Sequence, residues 1–119
     1  MSKIRIKATI QNRDEKKTYE GNAILENNKI KYKEDNHTTV IWNENDNTLF
    51  RETEEIILKY PFIMDKTTTG TIELKEGKVK IQIPIHTKKL ERKNHNIIIE
   101  FKVEENAMLY CIEEIIWVY

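Results

Sequence analysis

Apolar and polar side chains alternate along most of this chain. The clearest case is the segment 78–90, where Val79, Ile81, Ile83 and Ile85 are separated by charged or polar residues and by a proline. Successive side chains of a β-strand point to opposite faces, so a strict period of two predicts a strand with one buried face. We expect these four residues to face the interior of a closed sheet.

The same period recurs in short segments that are separated by turn residues. Asn27-Asn28 and Glu76-Gly77 are typical of tight hairpin turns. Gly21, inside the second segment, predicts a bend or a bulge in that strand. The alternating segments, besides 78–90, are 3–11, 17–26, 29–34, 38–43, 48–52, 69–75 and 96–104.

Two segments are ambiguous. Residues 51–60 fit either a helical turn or two strands that meet at a corner, and Pro61 ends the segment in both cases. The apolar positions of 107–116 fit a helix capped by Asn106, but they also fit a strand with a bulge at Glu113-Glu114. Because Tyr, Ile, Trp and Val dominate the end of this segment, we favour the strand.

Nine or ten short strands with tight turns leave no room for crossover helices. The sequence therefore predicts an all-β protein, with residues 1–119 as one domain. A long antiparallel meander removes its exposed edges most economically by closing on itself. We expect an up-and-down antiparallel barrel of about eight to ten strands.

Composition and charge limit the classes of partner. Twenty basic and twenty acidic side chains cancel, so the chain lacks the overall positive field that favours non-specific nucleic-acid binding. No apolar run approaches the roughly 20 residues that a membrane-spanning helix needs, and no signal peptide is visible. Cys111 is the only cysteine, so no internal disulfide can form, and we expect a cytoplasmic protein.

The residues that carry most catalytic chemistry are sparse or scattered. The three histidines have no metal-ligand spacing, and Ser2 is the only serine. In each pair of adjacent carboxylates, such as Glu54-Glu55, the two side chains would point to opposite faces of a strand. No such pair therefore forms an acid/base couple by itself. We therefore expect no metal and no cofactor, and an enzyme is the class that the sequence supports least.

The order of these features resembles a known family. The runs KIRIKATIQ, TYEGNA, KIKYKE, TTVIW, LFRE, IPIHTKKL and IIIEFKV are together similar to the YwiB-like family of calycin-type β-barrels, small bacterial proteins of unassigned function. The sharper marks are Tyr32 and Glu34 in the third strand, Arg51, and Ile85 with Thr87 at a strand end. Residues 54–69 depart from the pattern. The resemblance implies a lipocalin-like barrel and no particular reaction.

Tyr32, Glu34, Arg51 and Thr87 are the candidate site. Glu34 shares a strand face with Tyr32, so its carboxylate should point inward, and it needs a partner such as Arg51. These groups either close one end of a filled barrel or anchor a ligand at the mouth of a pocket. The second interpretation predicts a non-enzymatic binder of a small or amphipathic molecule.

The alternative is an interaction module that binds protein or RNA with its outer face. Lysines dominate the outward side of several predicted strands, and Tyr32 and Trp42 are candidate stacking platforms for bases. Interleaved acidic residues make nucleic-acid binding the less favoured of the two hypotheses.

Overall fold

The computed structural model describes residues 2–11, 15–106 and 109–118, with side chains described outside 104–116. The protein is all-β, apart from one turn of 3₁₀-helix at Glu76–Lys78. No helix in these ranges has the length and apolar character needed to cross a membrane. The strands are β1 (Ser2–Gln11), β2 (Lys16–Glu26), β3 (Lys29–Lys33), β4 (Thr39–Asn43), β5 (Thr48–Glu52), β6 (Ile56–Pro61), β7 (Thr67–Leu74), β8 (Val79–Lys93), β9 (Asn96–Asn106) and β10 (Leu109–Val118).

Each strand pairs antiparallel with its neighbours in the chain, and the last strand pairs with the first. The closing ladder runs from Lys7, opposite Val118, to Gln11, opposite Glu114. The predicted closed up-and-down barrel is confirmed, with ten strands. Closure satisfies the backbone groups that a free edge strand would leave unpaired.

Asn27 and Asn28 form the turn between β2 and β3. Both residues have positive φ, 52° and 61° respectively. A two-residue loop with positive φ at both positions is the hairpin turn whose twist matches the flanking strands, and asparagine tolerates this conformation better than most residues. The chain thus makes this turn without glycine.

The two ambiguous segments are both strands. Residues 51–60 contain the end of β5, a turn at 53–55 and most of β6. Over 109–118 the chain is the strand β10, as favoured, whereas 107–108 lie outside the described residues. The bulge expected at Glu113-Glu114 is wrong, because pairing with β9 is continuous there and the register shifts between Leu109 and Tyr110.

The barrel has two distinct ends. We call the end that carries the connections at 34–38, 53–55 and 75–78 the mouth. The opposite end carries the connections at 27–28, 44–47, 62–66 and 94–95. The antiparallel meander places alternate connections at alternate ends, so residues distant in the chain meet at the mouth.

Aromatic rings fill much of the interior. Trp117, 1% exposed, donates a hydrogen bond from Nε1 to the Tyr32 hydroxyl at 2.9 Å. On one side Tyr32 stacks on Tyr19 with ring centroids 5.1 Å apart, and on the other Trp117 packs against Trp42, also at 5.1 Å. The ring contacts extend towards the opposite end. We call this set the aromatic column: Tyr19, Tyr32, Trp117, Trp42, Phe62, Phe101 and Tyr60.

The inward face of β8 is only partly covered. Ile83 and Ile85 are buried as predicted, but Ile81 and Val79 are 43% and 49% exposed. The expectation that all four residues are enclosed is therefore wrong for the first two. They lie at the start of a fifteen-residue strand, next to the β7–β8 turn, where the sheet provides less cover.

Of the bend or bulge predicted at Gly21, the bulge is absent, because Gly21 lies within a continuous β1–β2 register, opposite Ile6. The glycine leaves space for Tyr19 instead. A Cβ atom on Gly21 would lie 2.3 Å from the Tyr19 hydroxyl oxygen, which is far inside van der Waals contact. The missing side chain allows the Tyr19 ring to lie against the strand and stack on Tyr32.

Replacing Tyr32 by Phe is expected to lower the free energy of unfolding by about 1–3 kcal/mol, because the buried Trp117 N–H loses its acceptor. Urea denaturation followed by tryptophan fluorescence measures this change. The matched control is Tyr19→Phe, since the Tyr19 hydroxyl donates at 3.3 Å to the exposed backbone oxygen of Asn22. The control should cost less than about 0.5 kcal/mol, and equal losses in the two variants would contradict this role for Tyr32.

Candidate functional site

Tyr32, Glu34 and Arg51 come together at the mouth. Tyr32 pairs with Val40 in β4, and Val40 pairs with Arg51 in β5, so Tyr32 and Arg51 lie on one inward-facing row. Glu34 follows directly after β3, and its Oε2 accepts a hydrogen bond from Arg51 Nη2 at 2.9 Å. The side chains of Arg51 and Glu34 are 30% and 18% exposed. The expected pairing of this carboxylate with Arg51 is present.

Arg51 has one further polar atom near the pocket. Its Nε is buried and has no hydrogen-bond partner among the described protein atoms. A buried donor without an acceptor is costly, so pairing with Glu34 leaves part of the hydrogen-bonding capacity of Arg51 unused.

Tyr32 is a neutral group in this setting. Burial raises the pKa of its phenol well above the ordinary value, and the hydrogen bond donated by Trp117 only partly offsets this shift. Glu34 nearby also raises the pKa, while Arg51 lowers it. Tyr32 therefore stays protonated at neutral pH, and its ring supports Tyr19 by stacking on it.

Thr87 does not belong to this group. Its strand, β8, is the fifth strand from β3 in either direction around the barrel, so the two strands lie on opposite sides. Thr87 is fully buried, its backbone N–H donates to Lys66 at 3.1 Å, and its carbonyl accepts from Asp65 at 2.9 Å. These bonds tie Thr87 to the connection at 62–66, at the opposite end of the barrel. The candidate site therefore loses one of its four predicted members.

A pocket of about 380 Å³ opens beside the Arg51–Glu34 pair. Tyr19 forms one wall and is itself held by its stacking on Tyr32. The strands β1 and β2 supply most of the remaining wall, which the sequence did not indicate. The pocket is lined by Ala8, Ile10, Lys17, Thr18, Tyr19, Glu34, Asp35 and Arg51.

One sequence signal pointed to Tyr19. Gly21 stands two residues after it, on the same face of β2, and a strand glycine often marks a place where another group approaches the backbone. Lys17 and Asp35 gave no such signal, because each reaches the pocket only through the closure of β1, β2 and β3 around the mouth.

The charged groups of the lining balance. Lys17 and Arg51 are cations, whereas Glu34 and Asp35 are anions. The backbone N–H of His37 donates to Asp35 at 2.8 Å, and this bond holds the pKa of that carboxyl below its usual range. Among the described residues, no three His, Cys, Asp or Glu side chains cluster as metal ligands would. The described lining residues thus offer hydrogen bonds and an aromatic wall, and their formal charges sum to zero.

Comparison with known proteins finds no matching family model, no similar curated protein and no similar solved structure.

Replacing Glu34 by Gln is expected to cost about 1 kcal/mol of unfolding free energy, because the partly buried Arg51 loses its counter-charge. Urea denaturation at low and high salt measures this cost, which should shrink as salt screens the pair.

Glu20→Gln is the matched control for this prediction. Glu20 Oε1 lies 3.8 Å from Lys7 Nζ, and both side chains are more than half exposed. The control should be close to neutral. An equal, salt-independent effect in both variants would contradict a special role for the Glu34–Arg51 pair.

Proposed function

We propose that this protein is a non-enzymatic binder of a small amphipathic molecule, which it holds at the mouth of the barrel. The observation that carries the proposal is the pocket of about 380 Å³, because it combines an aromatic wall with a fixed Arg51–Glu34 pair. Its volume lies within the range of about 300–1,000 Å³ that small-molecule sites occupy, and its lining brings convergent polar groups together with apolar and aromatic side chains.

The aromatic column supports a site at the mouth rather than deep in the barrel. A molecule on the barrel axis would have to displace the tightly packed Trp42, Trp117 and Tyr32. At the mouth it needs only to contact the face of Tyr19 and the polar groups beside it. Tyr32 stays protonated and Glu34 is paired, which suits anchoring groups better than groups that transfer protons.

The proposal includes a lipocalin-like use of the fold and a cytoplasmic location. Barrels of about eight strands can enclose one small ligand, and the resemblance to the YwiB-like, calycin-type proteins favours a lipocalin-like use of the fold. The single cysteine, Cys111, is compatible with a reducing compartment, so we place the protein in the cytoplasm.

Native mass spectrometry of the protein purified from its own host tests the proposal. We expect a bound small molecule of constant mass. Tyr19→Ala should lower the bound fraction about tenfold, because it removes the wall of the pocket.

Phe50→Ala is the control, since Phe50 is a half-buried aromatic residue on the outer side of β5. This variant should retain the molecule. A protein that is always free of small molecules, or one that loses its ligand equally in both variants, would contradict the proposed site.

One observation favours a second candidate function, the binding of single-stranded RNA by the outer face. The expectation that Tyr32 and Trp42 serve as stacking platforms for bases is wrong, because both residues are buried inside the barrel. The outer face of β1–β3 is nevertheless markedly cationic. Its described charged side chains are seven cations and two anions: Lys3, Arg5, Lys7, Lys16, Lys29, Lys31 and Lys33 against Glu20 and Glu26.

Chromatography on immobilised single-stranded RNA over a salt gradient tests this function. Lys3 and Lys31 flank Ile24 in one row of the sheet, so Lys3→Glu with Lys31→Glu should abolish salt-dependent retention. The control pair, Lys80→Glu with Lys88→Glu, changes the same charge on exposed positions of β8. Equal retention of both double variants would contradict RNA binding by this face.

A further inference from the structure

The hairpin of β7 and β8 presents an uncovered apolar surface on its inward side. Leu74 pairs with Val79, and Ile72 pairs with Ile81, so these four side chains share one face. That face is continuous with buried Ile83 further along β8. Leu74, Val79 and Ile81 are nevertheless 36%, 49% and 43% exposed. Clustered exposed apolar side chains usually mark a binding surface.

The strand register connects this apolar surface to Arg51, which lines the pocket. Arg51 pairs with Leu58, Leu58 pairs with Ile72, and Ile72 pairs with Ile81. Adjacent strands lie about 4.8 Å apart, so this inward-facing row extends roughly 14 Å from Arg51 to Ile81. A second inward-facing row lies nearer the mouth, where Ile56 pairs with Leu74 and Leu74 pairs with Val79. We call the two rows together the apolar ramp: Leu58, Ile72 and Ile81, with Ile56, Leu74 and Val79.

Exposure rises along the first row. Tyr32 and Val40 are buried, Arg51, Leu58 and Ile72 are intermediate, and Ile81 is exposed. The site therefore has a polar part beside the aromatic column and an apolar part that opens outward.

The polar part selects against a net charge. Lys17 and Arg51 are balanced by Glu34 and Asp35, and the six residues of the ramp carry no charge. A head group with a net charge would lose part of its hydration here. The described lining has no excess of the opposite charge to compensate for that loss. A neutral or zwitterionic head group avoids this cost and can still accept hydrogen bonds from the partly exposed Arg51 side chain.

We propose that the ligand is an elongated amphipathic molecule whose neutral or zwitterionic head lies at Arg51 and Glu34 and whose apolar body lies on the ramp. This inference rests on the proposed ligand-binding function and names the class of ligand. The ramp begins next to Arg51, which also lines the pocket, and for this reason a ligand shared by both is favoured over a separate protein partner.

Titration of the ¹⁵N-labelled protein with four probes that share one decyl chain tests the inference. The probes are decyl glucoside, decylphosphocholine, undecanoate and decyltrimethylammonium, each below its micelle concentration. The neutral and zwitterionic probes should bind about tenfold more tightly than the two charged ones. They should shift amide signals around both Arg51 and Ile81.

Two matched variants separate the ramp from general hydrophobicity. Ile81→Asn should weaken binding of decyl glucoside about tenfold, because the ramp loses apolar contact area. Ile63→Asn is the control, since Ile63 is similarly exposed, at 51%, but lies at the opposite end of the barrel. Both positions are exposed in the free protein, so neither change should prevent folding.

The outcomes distinguish the two levels of the proposal. Probes that shift signals at Arg51 but bind Ile81→Asn and Ile63→Asn equally would overturn the ramp while the mouth site stands. Preferential binding of either charged probe would overturn the assignment of the head group. If no probe shifts the mouth at all, both this inference and its parent proposal fail. If sedimentation shows that Ile81→Asn dissociates a dimer without changing probe binding, the ramp is a contact between copies of the chain instead.

Discussion

The pairing of the last strand with the first is the constraint on which the rest of this structure depends. The ladder between β1 and β10 places Trp117 opposite Ala8, and from there the indole reaches Tyr32 in β3. Without that ladder, β1 and β10 would be free edges, and the aromatic column would be open to solvent. Closure thus fixes the position of Tyr32, whose ring supports Tyr19 in the wall of the pocket. The candidate site is a consequence of how the barrel closes.

The barrel is built differently at its two ends. Towards the opposite end, Phe62 and Phe101 pack with ring centroids 4.9 Å apart, and the connection at 62–66 is bonded to Thr87. At the mouth, polar groups lie on the side of β3 and β5, while apolar residues lie on the side of β7 and β8. A filled end stabilises the fold, whereas the mouth retains surface that is suited to binding. Of the four candidate residues, Thr87 lies towards the filled end, whereas Tyr32, Glu34 and Arg51 lie at the mouth.

Local chemistry explains which features could be predicted from the sequence. Side-chain alternation predicts the strands because the period of two is a property of the backbone, and Glu34 needs a partner wherever the chain places it. The positions of Thr87 and Ile81 in the barrel, by contrast, depend on non-local geometry. A register shift between Thr87 and Lys89, and the length of β8 beyond its neighbours, decide where these residues lie. Lys17 joins the site only because β2 passes beside it, which no pattern within β2 specifies, whereas for Tyr19 the one local signal is the nearby Gly21.

Amide hydrogen exchange across the closing ladder, measured by NMR, tests the central claim most directly. In the closed barrel, the amides of 7–11 that point towards β10 should exchange as slowly as those between β4 and β5. A cross-strand nuclear Overhauser effect should also connect Ala8 with Trp117. Rapid exchange of these amides, with no such contact, would show an open sheet and would contradict both the barrel and the site at its mouth.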